Sequence, residues 1–106
     1  MVFVTGGSRG IGRAVCTAFA RTGRDVAFCY SRDVDGARET VRQIEREGVG
    51  ALSLRADVSD ESAVRAMFSS LSGIEILVNN AGVALFEQIQ STTSDMWRRV
   101  FAVNVD

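Results

Sequence analysis

The sequence contains no histidine and no lysine, and all twelve basic residues among its 106 positions are arginine. Without histidine, the chain has no imidazole for acid–base catalysis and cannot build a Ser-His-Asp triad. Its two cysteines, Cys16 and Cys29, form no C-x-x-C pair. Because zinc sites draw mainly on histidine and cysteine, we expect no metal site. Buried free thiols are the simpler interpretation of the two cysteines.

Basic excess and long apolar runs are also missing. The net charge is −1, so nothing favours nucleic acid or an anionic membrane as a partner. No apolar run approaches the roughly 20 residues that span a bilayer. Gly6 and Arg9 interrupt the N-terminus before a secretory signal could form, so we expect a cytoplasmic protein. The length and the hydrophobic fraction of 46% fit one ordinary soluble domain, residues 1–106.

Apolar residues alternate along the chain between strand-like runs and helical stripes. We predict strands near residues 2–4, 25–30, 52–58 and 74–78, with helices near 11–19, 35–47 and 59–71, the last of these capped by Ser59. A final helix is expected after about Thr93, its inward face formed by Met96, Val100, Phe101 and Val103. Strands that alternate with helices of this length imply an α/β fold, a doubly wound parallel sheet with helices on both faces.

Glycine is concentrated between the first strand and the first helix. Gly6, Gly10 and Gly12 stand in Thr5-Gly6-Gly7-Ser8-Arg9-Gly10-Ile11-Gly12. A dinucleotide pyrophosphate needs backbone that it can approach closely, and it needs the free N–H groups and favourable dipole of a helix start. We therefore predict that this turn binds a cofactor through residues Gly6, Ser8, Arg9, Gly10, Ile11 and Gly12. The alternative is a glycine-rich turn that binds nothing.

The spacing G-x-x-x-G-x-G resembles that of the short-chain dehydrogenase/reductase family. Three further landmarks follow in the family's order: Asp57-Val58, Asn79-Asn80-Ala81-Gly82, and Asn104 within Val103-Asn104-Val105. The resemblance covers essentially the whole chain. It implies a Rossmann-like dinucleotide-binding domain, incomplete at its C-terminal side. The similarity is greatest to family members that reduce ketones, 3-oxoacyl thioesters or sugars.

The resemblance also assigns roles to these landmarks. Asp57 and Val58 would contact the adenine ring, and Asn79, Ala81 and Gly82 would support the sheet and line the nucleotide cleft. Asn104 would match the family's fourth catalytic residue. Each has a structural alternative: Asp57 as a partner of the following helix N-terminus, the Asn79 segment as a tight turn, and Asn104 as a polar residue near a helix end.

The end of the second strand bears on the choice of cofactor. An NAD enzyme places Asp or Glu there to accept hydrogen bonds from the ribose 2′-hydroxyl. Here the matching position is Tyr30, followed by Ser31 and Arg32. A hydroxyl and a guanidinium suit a 2′-phosphate, which Arg9 could also reach. We therefore favour NADP over NAD. The alternatives are that both arginines are solvated, or that Arg32 pairs with Asp33.

The family's remaining catalytic groups have no match in these residues. Family members use a serine, a tyrosine and a lysine four positions after the tyrosine, because a phenol needs a nearby cation to act near neutral pH. The only tyrosine is Tyr30, and Val34 stands four positions later. The matching segment would lie beyond Asp106, so we expect this chain alone to show no turnover.

For the longer protein, the resemblance implies hydride transfer with a small-molecule carbonyl or alcohol substrate, and a homo-oligomer. Two alternatives remain: a nucleotide-binding chain without catalysis, and a fragment that docks on a related subunit. The family's strand order, 3-2-1-4, would leave the strand at 74–78 on an edge of the sheet, which is an aggregation hazard.

Overall fold

A computed structural model of the chain describes residues 1–80 and the backbone of residues 101–104. Strands and helices alternate along residues 1–80, as the two hydrophobic periods predict. The elements are β1 (Val2–Thr5), α1 (Gly10–Arg21), β2 (Val26–Tyr30), α2 (Val34–Arg46), β3 (Ala51–Arg55), α3 (Glu61–Ser69), β4 (Ile76–Asn79) and β5 (Phe101–Asn104).

The strands form one parallel sheet in the order β3-β2-β1-β4-β5. β1 lies in the middle of this sheet, where Val2 is in register with Val26 on one side and with Ile76 on the other. All four residues of β1 are buried, as expected for a strand covered on both faces. The prediction of a doubly wound parallel α/β fold, with the first four strands ordered 3-2-1-4, is confirmed.

The side chains of β1 alternate between two hydrophobic layers. Val2 and Val4 belong to one hydrophobic cluster, together with Cys16 of α1 and Ile44 of α2. Phe3 faces the opposite side, in the same cluster as residues of α3, and its ring centroid lies 5.1 Å from that of Phe68. The helices therefore cover both faces of the sheet, and the carboxyl ends of the strands are left to form a site.

The start of α3 differs from the prediction, which named Ser59 as its N-cap. The cap is Asp60, whose carboxylate accepts a hydrogen bond from the amide of Ala63 at 3.2 Å. Ser59 is already engaged, because its amide and its hydroxyl both donate to the carboxylate of Asp57, at 2.9 and 2.7 Å. This short turn precedes the helix and leaves capping to the next residue.

The prediction of a final helix is wrong over residues 101–104, because these residues form β5. This strand pairs in parallel with β4, placing Ile76 opposite Phe101 and Asn79 opposite Asn104. The residues Phe-Ala-Val-Asn suit a strand as well as a helix face, and pairing satisfies backbone groups on the side of β4 away from β1. β4 is consequently not an edge of the sheet. The other inward-facing residues of the expected helix, Met96 and Val100, lie outside the described residues.

Both cysteines are buried and unpaired, as predicted. Burial raises the pKa of the Cys16 thiol to about 12, with a smaller contribution from the charge of Cys29. Burial likewise raises the pKa of Cys29 to about 11. Within the described part of the chain, no three His, Cys, Asp or Glu side chains are grouped as metal ligands. No helix described there is both long and apolar enough to cross a membrane.

Candidate functional site

The glycine turn connects the end of β1 to the start of α1. Gly6 and Gly10 have φ values of +72° and +62°, a region that residues with a Cβ rarely adopt. The amides of Gly6 and Gly7 both donate to the carbonyl oxygen of Cys29, at 3.0 and 3.1 Å. These two bonds attach the first half of the turn to the neighbouring strand β2, so its position is set by the sheet.

Gly12 allows α1 to pack directly against the turn. A Cβ at this position would overlap the carbonyl oxygen of Gly6 and lie 2.9 Å from the side-chain nitrogen of Asn80. That side-chain nitrogen donates to the same Gly6 carbonyl at 3.2 Å. The backbone N–H of Asn80 donates to the hydroxyl of Thr5 at 2.9 Å. Asn80, which directly follows β4, therefore links the end of that strand to the glycine turn. The sequence analysis placed it in a turn but left it out of the site.

The first turn of α1 presents backbone amides that have no partner within residues 1–80. No hydrogen bond in this part of the chain uses the N–H groups of Gly10, Ile11 or Gly12. The N-cap residue, Arg9, is extended and supplies no side-chain cap, and the first turn carries no acidic residue. Helix N-termini of this kind bind anions, because free amides and the positive end of the helix dipole coincide.

Two side chains near these free amides are exposed, and both were predicted to contact the cofactor. Arg9 directly precedes α1 and is exposed. Ile11, in the first turn of the helix, is 52% exposed and is one of only two large hydrophobic residues exposed in the described part of the chain. Ser8, between them and the sheet, is half-buried. A cation and an apolar side chain thus flank the free amides.

Arg13 and Thr40 connect the glycine turn to α2. The Arg13 guanidinium donates through Nη2 to the carbonyl oxygens of Ser8 and Gly36, at 2.7 and 3.0 Å, and through Nε to the hydroxyl of Thr40 at 3.0 Å. The Thr40 hydroxyl in turn donates to the carbonyl oxygen of Gly7 at 2.8 Å. We call Arg13 and Thr40, with these contacts, the turn clamp.

The sequence analysis missed the turn clamp, although one signal was present. Thr40 lies between Ala37 and Ile44 on the face of α2 that packs against the sheet. A hydroxyl at a buried position requires a hydrogen-bond partner, so its presence in an apolar stripe indicated a specific contact. The sequence offered no means of identifying Gly7 as the acceptor, 33 positions away.

Ser31, Arg32 and Asp57 line one cavity of about 640 Å³ at the carboxyl ends of β2 and β3. Of the predicted site residues whose side chains the structure describes, only these three lie around it. Arg55, which the prediction did not include, also lines it and donates from Nε to the carbonyl oxygen of Ser31 at 3.0 Å. The other lining residues are Ala56, Asp60 and Ala63.

The Arg32 side chain forms no hydrogen bond or ion pair in the described part of the chain, although its backbone carbonyl accepts from the amide of Val34 at 2.9 Å. The alternative pairing with Asp33 is absent there, because the Asp33 carboxylate caps α2 by accepting from the amide of Gly36 at 2.9 Å. Arg32 is exposed. Its guanidinium is therefore available to an anion at the mouth of the cavity.

The Asp57 side chain holds the short turn before α3 and does not cap the helix itself, since Asp60 is the N-cap. Its carboxylate accepts both hydrogen bonds from Ser59, immediately before α3. These bonds, and to a smaller extent the positive charge of Arg32, lower the pKa of the carboxyl group. The side chain is exposed. Its oxygens can thus accept a further hydrogen bond while the turn stays intact.

The other predicted residues lie on or beyond the sheet. Val58 is half-buried and packs against the α3 side of the core. Asn79 is the last residue of β4, is buried, and accepts a hydrogen bond from the Thr5 hydroxyl at 3.3 Å. Asn104 is opposite Asn79 in β5. The expected contacts of Ala81 and Gly82 lie outside the described residues, as does the side chain of Asn104.

Comparison with known proteins places this site in a family. The family model described as short chain dehydrogenase matches residues 1–106. A 3beta-hydroxysteroid dehydrogenase of Eggerthella lenta is 41% identical over 108 positions, which cover 98% of this chain and 41% of that protein. The chain thus spans about two fifths of that curated relative.

Solved structures agree with the sequence comparison. A short-chain dehydrogenase of Burkholderia cenocepacia, in complex with NADP, is 30% identical with a TM-score of 0.82, over 97% of this chain and 53% of that one. A short-chain dehydrogenase/reductase of Serratia marcescens is 26% identical with a TM-score of 0.79, over the same shares of the two chains. The matching family model, the identities and the shared fold show that the chain belongs to the short-chain dehydrogenase family of oxidoreductases.

Proposed function

We propose that the chain is the cofactor-binding part of an NADP(H)-dependent oxidoreductase that transfers hydride to or from a carbonyl or secondary alcohol. The observation that carries the proposal is the first turn of α1, where three amides without partners in residues 1–80 adjoin a glycine turn and Arg9. A pyrophosphate fits these groups, because it needs close backbone approach, N–H donors and positive potential. Gly6, Ser8, Gly10, Ile11 and Gly12 would hold it.

The proposed preference for NADP rests on the end of β2. The last residue of β2 is Tyr30, where an NAD enzyme places an Asp or Glu that accepts hydrogen bonds from the ribose 2′-hydroxyl. Instead, Ser31 and Arg32 line the cavity, and the Arg32 guanidinium has no partner in the described part of the chain. Arg9 would add a second cation. The NADP complex of the Burkholderia cenocepacia relative supports this assignment; NAD is the alternative cofactor.

The adenine ring would lie in the same cavity. Asp57 offers an exposed carboxylate there as a hydrogen-bond acceptor. Val58 would support the adenine site less directly, because it packs against the hydrophobic core on the α3 side of the sheet. Asn79, Ala81 and Gly82 would support the sheet end and line the cleft beside it.

When bound, the nicotinamide supplies or accepts the hydride. These 106 residues offer no tyrosine–lysine pair for the accompanying proton, because they contain no lysine and a single tyrosine. We therefore propose that the proton-transferring groups belong to a longer protein, in which Asn104 would be a further catalytic residue. That protein would act on a small molecule and form a homo-oligomer. We expect the chain alone to bind nucleotide without turning over a carbonyl substrate.

Calorimetric titration of the chain with NADPH and NADH tests the proposal. Arg32→Ala should weaken NADPH binding about 10-fold or more and leave NADH unchanged, because a charged hydrogen bond contributes about 1.5–3 kcal/mol. Arg24→Ala is the matched control, since Arg24 is exposed before the opposite end of the same strand. It should leave both affinities unchanged.

Three results would argue against the proposal. If a folded sample gave no heat of binding with either dinucleotide, the proposal that the chain binds nucleotide would be refuted. Equal affinities that Arg32→Ala does not alter would remove the preference for NADP. Oxidation of NADPH by the purified chain, with a panel of ketones and aldehydes, would show that the proton donor lies within these residues.

A further inference from the structure

We infer that Arg13 and Thr40 are positioning residues that hold the two halves of the dinucleotide site in register and so determine how strongly the chain prefers NADPH over NADH. The inference rests on the proposed function. The structural feature that supports it is the turn clamp, which joins the glycine turn to α2 through hydrogen bonds at 2.7–3.0 Å.

The turn clamp connects two segments that have different tasks. The glycine turn would bind the pyrophosphate, which NADPH and NADH share. Ser31 and Arg32, immediately before α2, would bind the 2′-phosphate, which only NADPH has. Arg13 donates to one carbonyl on each side, Ser8 in the turn and Gly36 in the first turn of α2. The distance between the two phosphate sites therefore depends on this side chain.

Packing at the same place makes the connection rigid. Gly36 lies so close to the turn that a Cβ there would be 2.6 Å from the carbonyl oxygen of Ser8. Thr40 is fully buried, and its hydroxyl can reach the Gly36 carbonyl at 3.1 Å as well as that of Gly7. Neither segment can shift without breaking bonds inside a closely packed contact.

Arg13 is held by uncharged acceptors. Within residues 1–80, no carboxylate lies within 4.0 Å of its guanidinium. Its charge is therefore not neutralised by an ion pair at this distance. The turn clamp holds the glycine turn and the start of α2 in place before the cofactor binds. This preorganisation increases affinity, because the cofactor does not have to order the two segments on binding.

The preference follows from which cofactor uses both segments. NADPH contacts both, so it loses affinity when their separation is no longer fixed. NADH contacts mainly the glycine turn, so it loses less. A residue that merely stabilised the fold would change the folded fraction, and with it both affinities, by the same factor.

Thr40→Val tests this directly, because valine keeps the shape of threonine and removes the hydroxyl. It leaves the Gly7 carbonyl and the Arg13 Nε without their partner. We expect the Kd of NADPH to rise about 10-fold and that of NADH to change less than about twofold, in line with the loss of one or two hydrogen bonds. Thr40→Ser retains the hydroxyl and should restore the NADPH preference.

Arg13→Ala is the second variant, and it decides the question if Thr40→Val does not fold. Arg13 is only partly buried, and alanine favours the helix. It should lower the NADPH preference in the same way. Circular dichroism melts establish that each variant is folded at the titration temperature.

The outcomes separate the inference from the function on which it rests. If the unmodified chain binds neither dinucleotide, the proposed function fails and the inference with it. If it binds both equally, only the proposed preference for NADPH fails, and the inference fails with that preference. If the unmodified chain prefers NADPH but Thr40→Val or Arg13→Ala weakens both dinucleotides by one factor, the function stands and the positioning role is refuted. A shift confined to NADPH, reversed in Thr40→Ser, supports the inference.

Discussion

Replacing Gly12 with alanine should destabilise the chain, although alanine is normally the better helix former. A Cβ there would overlap the Gly6 carbonyl oxygen and lie 2.8 Å from the carbonyl carbon. The obstacle is backbone, attached to β2 by the hydrogen bonds of Gly6 and Gly7 to Cys29. Neither partner can rotate away, so α1 must move relative to the sheet.

The magnitude of the Gly12→Ala effect follows from three contributions. Overpacking costs about 1–3 kcal/mol, and backbone against backbone favours the upper end. The Asn80 side-chain nitrogen, 2.9 Å from the new Cβ, would lose its bond to the Gly6 carbonyl, at about 1 kcal/mol. Alanine recovers about 1 kcal/mol of helix propensity. The net loss is about 3 kcal/mol, or a Tm roughly 13 °C lower for a domain of this size.

Urea unfolding and thermal melts followed by circular dichroism measure this loss. Ala18→Gly is the matched control, since Ala18 is exposed in the same helix. It should lose about 1 kcal/mol by helix propensity alone. At position 12 the ordinary preference for alanine over glycine is thus reversed. A Gly12→Ala variant that melts at or above the unmodified chain would show that α1 does not pack against the turn as described.

Two further predictions concern ionisable groups. Hydrogen bonds from Ser59, and the charge of Arg32, lower the pKa of Asp57. Ser59→Ala should therefore raise the pKa of Asp57, as measured by an NMR titration. The contribution of this turn to stability is present above the ordinary pKa of about 3.9 and is lost as the pH falls through the lower folded-state value. Burial raises the pKa of Cys16 to about 12 and of Cys29 to about 11, so a thiol-reactive reagent at pH 8 should label neither in the folded chain and both in urea. The stability that the neutral thiols contribute is present below their ordinary pKa of 9.0 and is lost as the pH rises towards these values. Labelling of the folded chain, or an unchanged Asp57 pKa in the variant, would contradict the packing described.

Local pattern was sufficient to predict most of the fold. The apolar runs of β1 and β2 identify strands buried on both faces, and the glycines between β1 and α1 mark a turn that needs unusual backbone angles. Both signals lie within a few neighbouring residues. The parallel pairing of the strands follows from the alternation of strands and helices, whereas their order, 3-2-1-4, was expected from the family resemblance.

What the sequence analysis missed depends on distant contacts or on competition between neighbours. Arg13 and Thr40 are 27 positions apart, and only the packing of α1 beside α2 brings them together. Ser59 and Asp60 are both good N-caps, and the hydrogen bonds to Asp57 decide between them. At 101–104, pairing with β4 overrides an apolar spacing that also fits a helix.

The central place of β1 has a consequence for how the chain folds. Val2 is in register with Val26 and with Ile76, so the second of these pairings joins residues 74 positions apart (76 − 2). During synthesis, β1 keeps one side open until β4, 74 positions later (76 − 2), has followed. Such long-range closure slows folding and exposes unpaired strand edges in the meantime. We therefore expect β1 and β2, with α1 between them, to associate early, and the sheet to close across β1 only when β4 arrives.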